Sequence, residues 1–222
     1  MDDFLRYAQL DHGVTPTAMH TTLGSLRSSI SPTVIEERQL NVAQLDVFSR
    51  LMMDRIIYLG VAINDHVANV IQAQLLYLNS VDPKRDITLF INSPGGSVTA
   101  GLGIYDTMQH ISPRVITTCT SMAASMSAVL LCAGAPKTRS ILPHGRVMIH
   151  QPSGGMQGQF SDMQITYDLF RELKTDLYTI MSKHSGNPME DIERDADRDN
   201  WMRAEEALAY GFVDEILRSE KV

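Results

Sequence analysis

From residue 55 to residue 120 the chain alternates short, almost uninterrupted apolar runs with longer amphipathic ones. RIIYLG, ITLFIN and RVITTCT are the short runs, bounded by glycine, proline or small polar residues. Runs of that length without polar interruption read as strands buried on both faces, and the stretches between them carry helix spacing. Strand, helix, strand, helix, strand in that order calls for a parallel sheet covered by helices, an α/β architecture. A chain of 222 residues fits one such domain, and 44% hydrophobic against 20% charged residues supplies a core.

Along the chain, VAQLDVFSRLMMD (42–54) predicts a helix running into the strand RIIYLG. Asn64 or Asp65 caps the next helix, whose apolar stripe is Val67, Val70, Ile71, Gln74 or Leu75, and Leu78. After ITLFIN, the turn SPGGSVTAG opens the helix GLGIYDTMQHI, which Pro113 ends before the strand RVITTCT. An apolar helix follows Ser125 and stops at Gly134 and Pro136; TRSIL and RVMIH are two further strands. A glycine-rich passage, SGGMQGQFS, leads to a long helix over 161–185 with the stripe Met163, Tyr167, Phe170, Leu173, Leu177 and Ile180 or Met181. That helix is longer than a layer of a small domain uses, so part of it is expected to project. NPMEDIERDADRDNWM and AEEALAYG read as short acidic helical pieces, and FVDEIL closes the chain. Residues 1–30, rich in serine and threonine, read as a flexible or removable leader, with the folded domain from residue 31 to residue 222.

The formal net charge of −7 argues against general nucleic-acid binding, which needs a basic patch. Cys119 and Cys132 sit in apolar runs without metal-ligand or disulfide spacing and read as buried free thiols of a reducing compartment. No run reaches the roughly 18 apolar residues of a membrane-spanning helix, and MDDFLRYAQLDHG lacks a basic-then-apolar leader. The expectation is a soluble, cytoplasmic protein with no membrane or nucleic-acid partner.

Four features carry chemistry. Ser125, within CTSMAASMSA, falls where a strand gives way to a helix, beside the unpaired first amides of that helix. The GxSxG elbow pattern is absent, and a serine there could simply cap the helix. SPGGS (93–97) also joins a strand to a helix and leaves amides bare for an anion, yet it has no phosphate-loop lysine and no GxGxxG spacing, so a nucleotide is not expected. His150 ends the strand RVMIH, on the rim where α/β proteins carry their sites. IERDADRD offers Asp195, Asp197 and Asp199 as the carboxylate that a histidine base needs, and spacing does not choose among the three.

Taken together, INSPGGSVTAGLGIYDTM, AASM, RVMIHQP, the GQ-S-D run before the long helix, IERDADRD and AEEALAYG resemble the Clp-type serine peptidase family, in order from about Val34 to Leu217. The resemblance implies a crotonase-like, repeated β/α spiral with a projecting handle, about 153–186, made of one long helix and a strand. It implies Ser125 as nucleophile, His150 as general base, Asp199 as the orienting acid, and the amides of Gly96 and Met126 as the oxyanion hole. Gly95, Ser153, Gly154, Gly155 and Met156 would align substrate, while Gln159, Asp197 and Arg198 would make ring-to-ring contacts. The family stacks two seven-membered rings around a chamber, fed with unfolded polypeptide by a separate AAA+ unfoldase that uses the ATP; the chain itself needs no cofactor or metal. Residues up to about Ile30 would be a propeptide, and the stretch with VIEERQLN an axial-pore loop.

Some positions depart from the family pattern. Ser121 and Ser127 stand where glycine is common, and the expected partner groove has Thr88 and His110 in place of apolar residues, with Phe90 keeping the apolar type. Two alternatives from other classes are a catalytically silent ring-forming subunit and a crotonase-type acyl-CoA enzyme. The second shares the two-amide oxyanion hole but has no use for a Ser125–His150 pair.

Overall fold

A computed structural model describes residues 33–38 and 41–218, with side chains from Asp46 onward, so the expected leader over 1–30 lies outside the described residues. The chain divides into two units, 1–50 and 51–222.

In the first unit, β1 (Thr33–Arg38) and β2 (Asn41–Asp46) pair antiparallel, with Thr33 opposite Asp46 and Arg38 opposite Asn41. Residues 42–46, expected as helix, are therefore strand. Helix α1 (Val47–Met53) begins where the Asp46 carboxylate accepts the Ser49 N–H at 3.0 Å, a side-chain cap that the alternating pattern of 42–46 concealed.

The second unit is built on a seven-stranded sheet, β3 (Ile56–Leu59), β4 (Ile87–Ser93), β5 (Val115–Ala124), β6 (Ser140–Ile141), β7 (Arg146–Ile149), β8 (Asn200–Arg203) and β9 (Glu215–Ile216). Its main order is β3-β4-β5-β6-β9; β7 joins β5, and β8 joins β7. Every pairing is parallel except β7 with β8. Strand β5 has ten residues, enough for two neighbours on one edge: Thr118 and Cys119 pair with β6, and Met122 to Ala124 pair with β7. β4 alternates fully buried Ile87, Leu89 and Ile91 with half-buried Thr88, Phe90 and Asn92. Within this sheet the short strand β8 is the element that the sequence pattern does not reveal, NWM reading there as the end of a helical piece.

Helix α2 (Asp65–Val81) starts at Asn64, whose side chain accepts the Val67 N–H at 2.9 Å. It buries Ala68, Ile71, Leu75 and Leu78, while Val70, expected on that stripe, is exposed because Ile71 and Leu75 set the inward direction. Its far end is sealed by Arg55, a buried residue at φ 66° whose guanidinium donates to the carbonyls of Leu78, Asp82, Arg85 and Asp86. Three carbonyls of the turn after the helix, and that of Leu78, which also accepts the Asp82 N–H, share one cation. Helices α3 (Val98–His110) and α4 (Met126–Cys132) pack tightly, since any side chain at Gly101 would collide with Met126. All seven residues of α4 are buried.

Helix α5 (Phe160–Ser185) has 26 residues, roughly 39 Å at 1.5 Å per residue. Only Leu177, Tyr178 and Met181 near its end are buried, and Gly186 closes it at φ 83°. Its first half exposes Phe160, Ile165, Tyr167 and Leu169, which the described residues leave uncovered, while Met163 and Phe170 are half-buried. Residues 151–157 pair with no other strand among the described residues, although the resemblance implies a strand in the handle; a single extended segment has no ladder to join. Helices α6 (Met189–Asp195) and α7 (Ala204–Ala209) complete the fold, with Glu206 reaching back to accept the Arg203 N–H at 2.6 Å. No described helix is long and apolar enough to cross a membrane.

Arg139 locks the end of α5 and the closing strand to the sheet. Its guanidinium pairs with Asp214 at 2.6 Å and donates to the carbonyls of Cys132, His184 and Gly211. Arg139→Ala removes the cation from that carboxylate, which keeps only backbone donors such as the residue 139 N–H, and the guanidinium donor from three carbonyls; it should cost about 3–5 kcal/mol in denaturant unfolding, and a loss below 1 kcal/mol would contradict this role. Nearby, burial pushes the His184 imidazole down from 6.5 to about 4, and its Nε2 shares a hydrogen bond with the Tyr105 hydroxyl at 3.2 Å. The unfolded chain therefore binds one more proton than the folded chain between these two values, and stability from this group is present above 6.5 and lost as pH falls toward 4. Unfolding midpoints measured across that range should fall with acid, and less steeply in His184→Gln.

Candidate active site

The site is assembled where β5 leaves the sheet. Ser125 follows Ala124 directly and adopts φ 56° and ψ −126°, a conformation that a residue with a β-carbon holds only under constraint, at a cost of about 1–3 kcal/mol. Backbone bonds hold it there: its N–H donates to the Met148 carbonyl of β7 at 2.8 Å, and its own carbonyl accepts the Ala128 N–H at 2.9 Å and the Val129 N–H at 3.4 Å. Strand-to-helix turns of this kind lift a side chain clear of the sheet. The Ser125 side chain makes no capping bond to α4, so the simple capping role does not describe it.

Ser127, one of the departures from the family pattern, is fully buried, and its hydroxyl lies 2.6 Å from the Ser93 carbonyl and 2.8 Å from that of Ala124. It thus ties the ends of β4 and β5 together at the point where their register shifts, between Ile91 and Ser93. Ser121 is exposed on β5, away from the turn.

Directly after β4, Gly95 and Gly96 take φ 87° and 149°. The Ile63 N–H donates to the Gly95 carbonyl at 2.8 Å and the Ile63 carbonyl accepts the Ser97 N–H at 2.9 Å, so the loop is clamped on both sides of Gly96. A Cβ at Gly95 would lie 2.5 Å from the Ala124 carbonyl oxygen, 2.7 Å from Ser125 Cβ and 2.9 Å from the Met126 nitrogen. The glycine loop therefore rests against the serine turn itself. Neither the Gly96 nor the Met126 N–H donates to an acceptor among the described residues. The second heads α4, where a helix offers no internal acceptor.

The antiparallel ladder between β7 and β8 ends with Ile149 opposite Asn200, which leaves His150 and Asp199 facing each other one step beyond. His150 Nδ1 lies 3.1 Å from Asp199 Oδ1, and His150 Nε2 lies 2.8 Å from Ser125 Oγ. With the ring proton on Nδ1, the imidazole donates to Asp199 and accepts the Ser125 hydroxyl. Of the three aspartates left open by spacing, Asp199 is the one that reaches the ring: Asp195 accepts the Tyr210 hydroxyl and pairs with Arg194, while Asp197 meets Gln151. The Ser125 proton thus has an acceptor in line, and the resulting imidazolium has a counter-charge.

An apolar recess beside Ser125 is lined by Val98, Val129, Pro152, Leu177 and Met181 and holds about 20 Å³. Leu177 and Met181 come from α5, where the sequence marks them only as core. A larger cleft of about 670 Å³ runs from His150 along Gln151, Pro152, Ser153 and Gly154 to Asp197, Arg198 and Asp199. Gly154 and Met156 also line a cavity of about 560 Å³ against α5. Around Gly155 there is open space, and Gln159 stands exposed at the head of α5. Thr88 and Phe90 sit half-buried on β4, and His110 is exposed at the end of α3. None of these three lines the exposed apolar hollow of about 340 Å³ formed by Met52, Val70, Ala73, Gln74 and Tyr77.

A Clp protease family model matches residues 38–220. An ATP-dependent Clp protease proteolytic subunit of Porphyromonas gingivalis is 59% identical over 221 residues, covering 100% of both chains. Proteins of the same description from Bacteroides fragilis and Bacteroides thetaiotaomicron are 59% and 58% identical over 217 residues, 98% of this chain and 99% of each relative.

Gly95→Ala forces a side chain into the serine turn at a backbone angle that alanine resists, and should lower peptide cleavage by roughly a hundredfold or more. Gly155→Ala, with nothing within 4 Å of its Cβ, should leave folding untouched. Parallel thermal melts and cleavage rates of the two variants check the contrast.

Proposed function

This chain belongs to the Clp protease family and is a serine endopeptidase, and on that premise we propose that Ser125 is its nucleophile, His150 its general base and Asp199 the acid that orients the base. The observation that carries the assignment is the 2.8 Å approach of His150 Nε2 to a serine hydroxyl raised on a strained turn against a glycine loop. In acylation, Ser125 Oγ attacks the carbonyl carbon of the scissile bond while its proton passes to His150 Nε2. The negative oxygen of the tetrahedral intermediate is met by the N–H groups of Gly96 and Met126. His150 then returns the proton to the leaving amine, and a water activated by the same nitrogen releases the acyl group and regenerates Ser125.

The substrate follows from the walls. Gly95 on one side and Ser153, Gly154, Gly155 and Met156 on the other offer backbone to an extended peptide, which supplies the ladder partner that residues 151–157 lack among the described residues. The recess of Val98, Val129, Leu177 and Met181, about 20 Å³, gives the scissile bond an apolar wall with room for a group no larger than a methyl.

The relatives are described as proteolytic subunits of an ATP-dependent protease. The chain carries no phosphate-binding loop, which agrees with ATP being hydrolysed by a separate AAA+ unfoldase that delivers unfolded polypeptide and docks in the region of Thr88, Phe90 and His110. The assembly in this reading is two stacked seven-membered rings in the cytoplasm, with Gln159, Asp197 and Arg198 at the ring-to-ring contact. The exposed apolar first half of α5 supports such a contact, and the unpaired buried thiols of Cys119 and Cys132 agree with a reducing compartment.

Ser125→Ala should abolish hydrolysis of a short fluorogenic peptide while light scattering still reports fourteen times the 24.7 kDa chain mass. Undiminished hydrolysis would reject the nucleophile, and an active-site phosphonate that fails to label the wild-type serine would favour a silent ring subunit.

A further inference from the structure

Asp199 is held more weakly than its role requires. Its side chain is 62% exposed, and it belongs to a run of three exposed residues, 197–199, between buried Ala196 and the first residue of β8. The ladder that brings His150 opposite Asp199 has already ended at Ile149 and Asn200. The neighbouring Arg198–Asp197 ion pair is long, 3.9 Å, and both side chains lie in solvent.

One side chain spans the gap. Gln151, the residue after His150, donates from Nε2 to the backbone carbonyl of Asp197 at 2.8 Å, with the Asp197 carboxylate at 3.4 Å. Pro152 has no N–H, so the main chain cannot continue the ladder at that point. The amide of Gln151 does so in its place. It joins the strand that bears the base to the segment that bears the acid, on the far side of the His150–Asp199 bond from β8.

We propose that Gln151 is a positioning residue for the His150–Asp199 pair: by clamping the Asp197 carbonyl, it holds the Asp199 carboxylate against His150 Nδ1. The inference rests on the triad proposed above. It requires the donor of the amide, not merely the bulk of the side chain. The charged groups around His150 in the cleft are Asp197, Arg198 and Asp199, and Gln151 touches the first while acting on the third.

The test is steady-state cleavage of a fluorogenic peptide by the assembled protein, comparing wild type, Gln151→Met, Gln151→Glu, Asp199→Asn and the double variant Gln151→Met/Asp199→Asn across pH 5 to 9. Gln151→Met keeps length and removes the donor. It should lower kcat by roughly ten- to a hundredfold with KM nearly unchanged, and its kcat/KM profile against pH should move in the same direction as that of Asp199→Asn. Gln151→Glu, which cannot donate and faces Asp197, should fall at least as far. In the Asp199→Asn background the Gln151→Met change should cost less than about twofold, since the group it positions is gone. Equal losses in both backgrounds, or full kcat with an unmoved profile in Gln151→Met, overturn the proposal. If Gln151→Met fails to assemble, the same comparison is made with Gln151→Glu. Cleavage that survives in Asp199→Asn undiminished removes the triad assignment itself, an outcome separable from failure of Gln151 alone.

Discussion

The site depends on one strand being long enough for two neighbours. β5 gives its middle to β6 and its end to β7, so the sheet forks at Ser121 and Met122, and the chain leaves the fork at Ser125. Because Ala124 lies beside Met148 in parallel register, the Ser125 amide finds the Met148 carbonyl, and the imidazole two residues further along β7 comes within reach of the serine hydroxyl. β8 then adds antiparallel to the outer edge of β7 and brings Asp199. Nucleophile, base and acid are thus consecutive consequences of strand pairing, and the glycine loop at the end of β4 is the fourth. A shift of one residue in any of these registers would turn the side chains to the opposite face.

Much of this was legible beforehand, and the reasons for what was not are local. The buried strands β3, β4 and β5 and helices α2, α3 and α5 announce themselves through long apolar patterns and, for α2, the cap at Asn64. The glycine loop, Ser125 and His150 are recognisable because they follow the strands β4, β5 and β7, whereas the aspartates lie in a run that reads as helix. Residues 42–46 went to the wrong class because a short hairpin with alternating character also satisfies a helix pattern when a helix follows immediately. β8 was hidden because four residues flanked by an acidic helix and AEEALA carry no periodicity of their own; its existence depends on β7 offering an edge. For the same reason spacing could not choose among three aspartates, a choice made by the β7–β8 register.

Long-range polar partners were invisible for a different reason. Arg55, Arg139 and Gln151 look in sequence like ordinary surface residues, yet two are buried hubs and the third bridges residues 46 positions apart. Their partners are mostly backbone carbonyls, which carry no sequence signature at all. Ser127 belongs with them: its departure from the family pattern was visible, whereas its bond to the Ser93 carbonyl emerged only when β4 and β5 lay side by side.

The twist at Ser125 sets folding and activity in opposition within a single residue. Glycine would adopt the same angles without steric objection, so the molecule's conformational preference at this position runs against the very hydroxyl that gives it a purpose. Random drift should therefore find inert descendants of this protein that are sturdier than their working ancestor, and only selection for turnover keeps the less comfortable residue in its place.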